Sequence, residues 1–281
     1  MSVDLAKTFL EIVQTGNFLQ ASKTLNLTQS TVSARIQSLE NLLGTQLFIR
    51  NKGGVQLTTA GKRFLPYASS LVQTWSHAKQ TIAVPEGYEG QVSVGARFGV
   101  WDELLFAWTK WMQTNSDGIA IRADLRMSES LLPRVRDGQV DIAILYEPSN
   151  VLGVTAQPFV KDEFILVSTD EQTGNILGEN YIYVDWSNEF RRQHRLSFPE
   201  FSGAGITVNS GSYGLGLLRA SGGLGYFPRR KVLGELENAI LFEVPEAPRF
   251  FLQAYIVKNS NRISRETHVA IEGLISCASS I

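Results

Sequence analysis

The stretch Ala21-Ser22-Lys23-Thr24-Leu25-Asn26-Leu27-Thr28-Gln29-Ser30-Thr31-Val32-Ser33-Ala34-Arg35-Ile36 decides how the N-terminal part of this chain folds. Its opening residues close a short helix in which Phe18, Ala21 and Leu25 fall three and four apart on one face. Asn26-Leu27-Thr28 breaks that helix, and Thr28 is suited to cap a second one. The inward positions of the second helix are Val32, Ile36, Leu39 and Leu43, at intervals of four, three and four. Two helices joined by so short a turn form a helix-turn-helix, whose second helix enters the major groove of DNA with its N-terminal side chains toward base edges. Thr28, Gln29, Ser30, Thr31, Ser33 and Arg35 are therefore the candidate DNA contacts. Gln pairs with adenine, Arg with guanine, and Ser or Thr with bases or phosphates. A merely solvated polar face is the plain alternative, and the agreement of helix length, turn and polar set weighs against it.

Upstream, Leu5, Phe9, Ile12 and Val13 recur at helical spacing until Thr15-Gly16-Asn17, where Gly supplies a left-handed stop. Downstream, Leu47 to Arg50 and Val55 to Leu57 read as short strands around the turn Asn51-Lys52-Gly53-Gly54. A basic hairpin beside a recognition helix is expected to be a wing, with Arg50 and Lys52 touching phosphates or the minor groove. An ordinary solvated hairpin fits the same residues. From Thr59 the apolar residues Ala60, Phe64, Ala68, Leu71, Trp75, Ala78 and Ile82 are spaced 4, 4, 3, 4, 3 and 4, which is nearly a heptad seam. A helix of about 25 residues would be roughly 37 Å long, with Pro66 as a point of bending. Phe64, Leu71, Trp75 and Ile82 could face a partner helix or an intramolecular core.

Bulk properties narrow the class. A length of 281 residues suggests two or three compact units, and 43% apolar against 19% charged residues excludes a disordered chain. No secretory signal and no bilayer-spanning run is read, so a cytoplasmic protein without a membrane partner is expected. The one cysteine, Cys277, excludes an internal disulfide and a thiolate zinc site, and its residue type points to a packed core thiol. The net charge of −1 conceals an asymmetry: residues 1–84 carry eight Lys/Arg against three acids, and residues 85–281 eighteen against twenty-four. Positive charge thus collects where a polyanion would meet it. His77, His194 and His268 are scattered, so neither a metal set nor a catalytic triad is expected. Gly214-Leu215-Gly216 and Gly222-Gly223-Leu224-Gly225 lack the context of a dinucleotide fingerprint. No enzyme, metal or cofactor is expected.

Val84-Pro85-Glu86-Gly87-Tyr88-Glu89-Gly90 has the punctuation of a hinge. Beyond it, strands at 91–96, 119–125, 141–146, 164–168, 181–184, 206–208, 225–227, 240–244 and 250–257 interleave with helices near 102–112, 130–137, 189–194, 212–220 and 264–278, an α/β pattern with a largely parallel sheet. Ligands in such sheets bind at strand C-terminal ends and helix N-termini. That rule selects Arg97, Phe98, Gly99, Val100, Ser128, Ser130, Tyr146, Glu147, Asn209, Ser210 and Ser212. Free N–H groups and the Arg97 guanidinium would favour an anionic small molecule. An ion pair of Arg97 with Asp102 or Glu147, and capping roles for the serines, fit equally.

The run Phe9-Leu10-Glu11-Ile12-Val13, Asn17-Phe18-Leu19-Gln20-Ala21-Ser22, Leu27-Thr28-Gln29-Ser30-Thr31-Val32-Ser33, Leu39-Glu40, Leu43-Gly44, Leu47-Phe48, Arg50 and Leu57-Thr58-Thr59-Ala60-Gly61 resembles the DNA-binding signature of the LysR-type transcriptional regulators. Leu65-Pro66-Tyr67-Ala68 and Thr74-Trp75 are similar to the HdfR-like subgroup. Where many members carry Arg after the Ser matched by Ser33, this chain has Ala34 and then Arg35.

The resemblance implies an N-terminal all-α winged helix-turn-helix (1–58), a linker helix for dimerisation (59–84), a hinge (85–90) and a two-lobed α/β effector domain like a periplasmic binding protein (91–281). Its lobes are expected at about 91–162 with 263–281, and at about 163–262. It further implies a homodimer or homotetramer on double-stranded promoter DNA, a small-molecule effector, and RNA polymerase as a partner.

Overall fold

The computed structural model describes residues 2–51, 54–148, 153–171, 177–178, 180–260 and 264–279. α1 (Val3–Thr15) begins with the Ser2 side chain accepting from the Asp4 N–H and ends at Gly16, whose φ of 63° is left-handed. α2 (Phe18–Thr24) is capped by Asn17, and the turn after it uses Asn26 at φ 53°, a conformation that Asn tolerates better than most side chains. α3 (Gln29–Leu43) is capped by Thr28, which accepts from the Thr31 N–H at 3.2 Å, and stops at Gly44. β1 (Phe48–Asn51) and β2 (Gly54–Leu57) form the antiparallel wing. α4 (Thr59–Ile82) runs through Pro66.

These elements close on one core of Phe9, Ile12, Phe18, Val32, Leu39, Phe48, Ala68 and Val72. Phe9 anchors it, with Phe48 at 5.2 Å and Phe64 edge-on at 5.1 Å. Gly61 lets the first turn of α4 approach the wing, since a Cβ there would lie 2.2 Å from the Leu47 carbonyl oxygen. Leu43, expected inside, is 40% exposed, because α3 outruns the elements that cover it.

The larger unit is built on β3 (Gly90–Arg97), flanked in parallel by β4 (Ile119–Arg126) and β5 (Ile142–Leu145). α5 (Asp102–Asn115) and α6 (Ser128–Arg136) join these strands, and α10 (Arg265–Ala278) packs on α5, its Ala270 carbonyl accepting from Trp108 Nε1 at 2.9 Å. Two long strands, β6 (Val154–Ser168) and β11 (Phe250–Asn259), run antiparallel from this lobe into the next. β11 pairs with β5 through Tyr255–Lys258, whereas the far half of β6 pairs with β9 (Leu224–Pro228) and β10 (Phe242–Glu243). β7 (Ile182–Val184) and β8 (Ile206–Val208) are parallel and, with α7 (Asn188–Ser197), α8 (Gly211–Ser221) and α9 (Arg229–Glu237), complete the second lobe.

The sheet is thus mixed rather than largely parallel. Two adjacent strands that cross between lobes in opposite directions pair antiparallel. No helix among the described residues is long and apolar enough to cross a membrane, and no group of three His, Cys, Asp or Glu that could hold a metal occurs among them.

Candidate functional site

α3 presents its N-terminus to solvent. Val32, Ile36 and Leu39 hold it in the core, which leaves Thr28, Gln29 and Ser30 exposed and Thr31 and Ser33 half-buried. The Thr28 hydroxyl lies 2.9 Å from Ser30 Oγ and 2.8 Å from Thr31 Oγ1, so this turn is ordered before any ligand arrives. Glu40 fixes the wing to the helix by accepting from the N–H groups of Leu47 (2.7 Å) and Phe48 (3.3 Å). Arg35 behaves differently from the other candidates: its Nη1 donates to Thr8 Oγ1 on α1 at 3.3 Å. One residue beyond the exposed Ala34 is 100° further around the helix, which turns Arg35 toward the α1 side. Arg50 lies on β1. Lys52 lies outside the described residues.

Of the seam on α4, Phe64 and Leu71 pack against the N-terminal core. Trp75 is 49% exposed and Ile82 85%. On another face of the same helix, Gln73 is buried and donates to the Arg136 carbonyl at 3.3 Å, so α4 docks on the effector unit.

Between the lobes lies a cavity of about 300 Å³. Arg97, Ser128, Tyr146 and Glu147 line it, as expected from sequence, together with Met127, Arg136, Asp185, Asn188, Arg191 and, from α1, Gln14. Arg97 is buried at the end of β3 and donates through Nη2 to the Asp185 and Asn209 carbonyls of the opposite lobe. The start of α6 has no side-chain cap, and of its first-turn N–H groups that of Ser130 is already donated to the Met127 carbonyl at 3.1 Å. The start of α7 is already occupied by Ser187, which accepts from Phe190 N–H at 3.0 Å, and by Glu147 Oε1, which accepts from Glu189 N–H.

The remaining candidates are placed elsewhere. Val100 is fully buried in the core, a correction to its reading as a ligand contact: the turn after β3 directs it inward. Phe98 is half-exposed and Ser130 is exposed on α6, its Oγ donating to the Met127 carbonyl; neither lines the cavity. Gly99, Ser210 and Ser212 form a lobe-to-lobe contact, in which a Cβ on Gly99 would meet Ser210 Oγ at 2.7 Å and Ser212 Oγ donates to Asp102 Oδ2 at 2.7 Å. The N-terminus of α8 is therefore filled by protein, and Asn209 contributes its carbonyl to Arg97 rather than a side chain to the cavity. The same strand-end rule, applied to Val184, would have found Asp185 and Asn188. Gln14 and Arg136 carry no local signal, since only tertiary contact brings α1 to the cleft.

Arg136 joins the two units. Its side chain is 8% exposed, with Nη2 3.6 Å from Glu11 Oε2 on α1 and Nε donating to Asp137 Oδ1 at 2.7 Å. Burial works against its charge, but Asp137 and Glu11 outweigh that and raise its pKa.

Residues 3–62 match the family described as bacterial regulatory helix-turn-helix protein, lysR family, and residues 85–275 match the LysR substrate binding domain. The chain is 32% identical over 275 residues to the HTH-type transcriptional regulator HdfR of Yersinia enterocolitica, covering 93% of this chain and 92% of that one. Among solved structures, full-length LysG of Corynebacterium glutamicum with bound effector Arg superposes with a TM-score of 0.57 at 19% identity, covering 100% and 99% of the two chains. Vibrio fischeri DarR in complex with DNA gives 0.57 at 20% identity, covering 99% of each.

Proposed function

This chain belongs to the LysR family of transcriptional regulators, with a helix-turn-helix DNA-binding domain and an effector-binding domain, and from that premise we propose how its two sites act together. Thr28, Gln29, Ser30, Thr31 and Ser33 meet base edges and phosphates of double-stranded promoter DNA, and the wing residues Arg50 and Lys52 set register on the backbone. Two copies pair through the exposed side of α4. Tyr67, Trp75 and Ile82, 72%, 49% and 85% exposed, support this, because isolated apolar residues at near-heptad spacing seek a partner helix. Pairing sets two recognition helices on half-sites, and a tetramer would extend the same arrangement toward RNA polymerase.

The effector is a small anion in the interlobe cleft. Arg97, Arg136 and Arg191 line it against Glu147 and Asp185. That balance disfavours a cationic effector such as the arginine bound by the C. glutamicum protein. Arg136 carries this reading: it lines the cleft and also pairs with Glu11 of the DNA-binding domain. An anion that draws on this guanidinium competes with Glu11, giving the two ligand states different domain contacts.

The test is fluorescence anisotropy of purified full chain on its own promoter fragment and on a scrambled one, at several salt concentrations. A specific regulator keeps its preference while losing affinity with salt. Equal affinity for both fragments would overturn the reading.

A further inference from the structure

β7, α7 and the loop that follows α7 enclose a hollow of about 190 Å³, whose described lining residues all fall between Tyr183 and Gly203. It therefore lies within the second lobe, with no wall from the first. Its walls are aromatic. Tyr183, Phe198 and Phe201 are each half-buried, and the buried His194 ring sits 5.1, 4.9 and 5.0 Å from them between centres. Phe201 also stacks on Tyr183, 5.9 Å apart at 30°. Tyr181 Oη fixes His194 at 2.9 Å, so the wall is set in place and costs a ligand little ordering.

The rim is basic, because Arg191 and Arg195 stand four residues apart on one face of α7. Their neighbour Arg192 is spent on Glu189. Arg195 is exposed and makes no ion pair among the described residues. Arg191 donates to Asn188 Oδ1 at 2.5 Å and lies 3.4 Å from Asp185. Both guanidinium groups act on the Tyr183 hydroxyl: burial and then Asp185 raise its pKa, and Arg191 and Arg195 pull it back. Two positive groups over a half-buried aromatic wall suit an anion that carries a ring.

We propose that this hollow binds a single-ring aromatic carboxylate, at a site of its own within the second lobe. The ring lies against Tyr183, Phe198 and Phe201, and the carboxylate accepts from Arg195 and Arg191. A volume of about 190 Å³ takes one ring and its acid group, short of the roughly 300 Å³ at which pockets for larger ligands begin. Arg191 also lines the interlobe cleft, where it faces Asp185. One guanidinium thus serves both places, and a carboxylate bound in the hollow draws it from Asp185 and leaves the cleft more negative.

The test is calorimetric titration of the full chain with benzoate, benzamide and cyclohexanecarboxylate. Benzoate is expected to bind saturably. Benzamide should bind about tenfold more weakly for want of a charge-assisted hydrogen bond, and cyclohexanecarboxylate about fivefold more weakly for want of a π-face. Arg195→Gln should weaken benzoate about tenfold, and Ser202→Trp, at an exposed lining position, fills the hollow and should abolish binding. Ser128→Trp obstructs the interlobe cleft instead and should leave benzoate binding intact. Asp185→Asn removes the charge that holds Arg191 back and should tighten binding about threefold. Thermal unfolding of each variant verifies the fold, and Arg195→Gln, which breaks no ion pair among the described residues, decides the matter if Ser202→Trp is destabilised. Absence of saturation at millimolar benzoate, binding that survives Ser202→Trp or is unmoved by Arg195→Gln, or binding lost in Ser128→Trp would each overturn the proposal. An affinity unchanged in Asp185→Asn would overturn the sharing of Arg191.

Discussion

Glu11 of α1 and Arg136 of α6 form an ion pair 3.6 Å long across the boundary between the DNA-binding and effector units, both side chains about nine-tenths hidden from solvent. Glu11→Gln keeps the shape and removes the charge, and Arg136 retains Asp137 at 2.7 Å, so the loss is milder than for an isolated buried pair. A stability decrease of about 1–2 kcal/mol is expected. Urea unfolding of Glu11→Gln, Arg136→Gln and the double variant checks it. Additive effects would show that the two residues are not coupled.

Base reading and helix anchoring separate along α3. Gln29 is exposed at the helix start, and Gln29→Ala should cost about 1–3 kcal/mol on the cognate promoter while flattening its sequence preference. Arg35 is tied to Thr8, so Arg35→Ala should lower stability by about 1 kcal/mol and leave the preference unchanged. Anisotropy on a panel of single-base operator variants distinguishes the two; a preference that shifts with Arg35→Ala would return that residue to the DNA face.

What could be read from the sequence and what could not divide along physical lines. Thr28 and Gly16 act within a turn of where they stand, so the start of α3 and the end of α1 are legible in the sequence. α9 is not, because Val232 is nearly its only buried apolar residue and no helical stripe results. The first half of β6 was masked by Pro158, which sits where the pairing with β11 is irregular. Arg97, Ser128, Tyr146 and Glu147 follow from strand ends, but the rule could not say that α8 would have its N-terminus filled by Gly99 from the other lobe. Arg136 carries no local signal, because its role depends on Glu11, which lies in another unit.

His194 gives the second lobe a pH dependence. It is 2% exposed among Phe190, Phe198, Phe201 and Phe250, with Tyr181 Oη at 2.9 Å from Nε2, and burial lowers its pKa from 6.5 to about 4. The unfolded chain then binds a proton between pH 6.5 and 4 that the folded chain refuses. The stabilisation is complete above pH 6.5 and declines toward pH 4, by up to roughly 3 kcal/mol. Urea midpoints across this range should fall for the wild type and flatten in His194→Asn; parallel curves would assign the acid sensitivity to other groups.

The exposed side of α4 supports the last expectation. Trp75 and Ile82 are seven residues apart, two turns along one face, and the helix's buried side is already committed to Val72, Gln73 and Ser76. Neither is held by the chain's own core, so changing them should disturb association more than folding. Trp75→Ala with Ile82→Ser removes the two largest solvent-facing apolar groups of the second half of the helix. Sedimentation velocity should show dissociation at concentrations where the wild type is associated, with the unfolding temperature of the monomer little changed. Promoter affinity should fall with it, because a single recognition helix loses the second half-site and the effective concentration that goes with it. An unchanged sedimentation coefficient in the double variant would place the dimer contact on another surface.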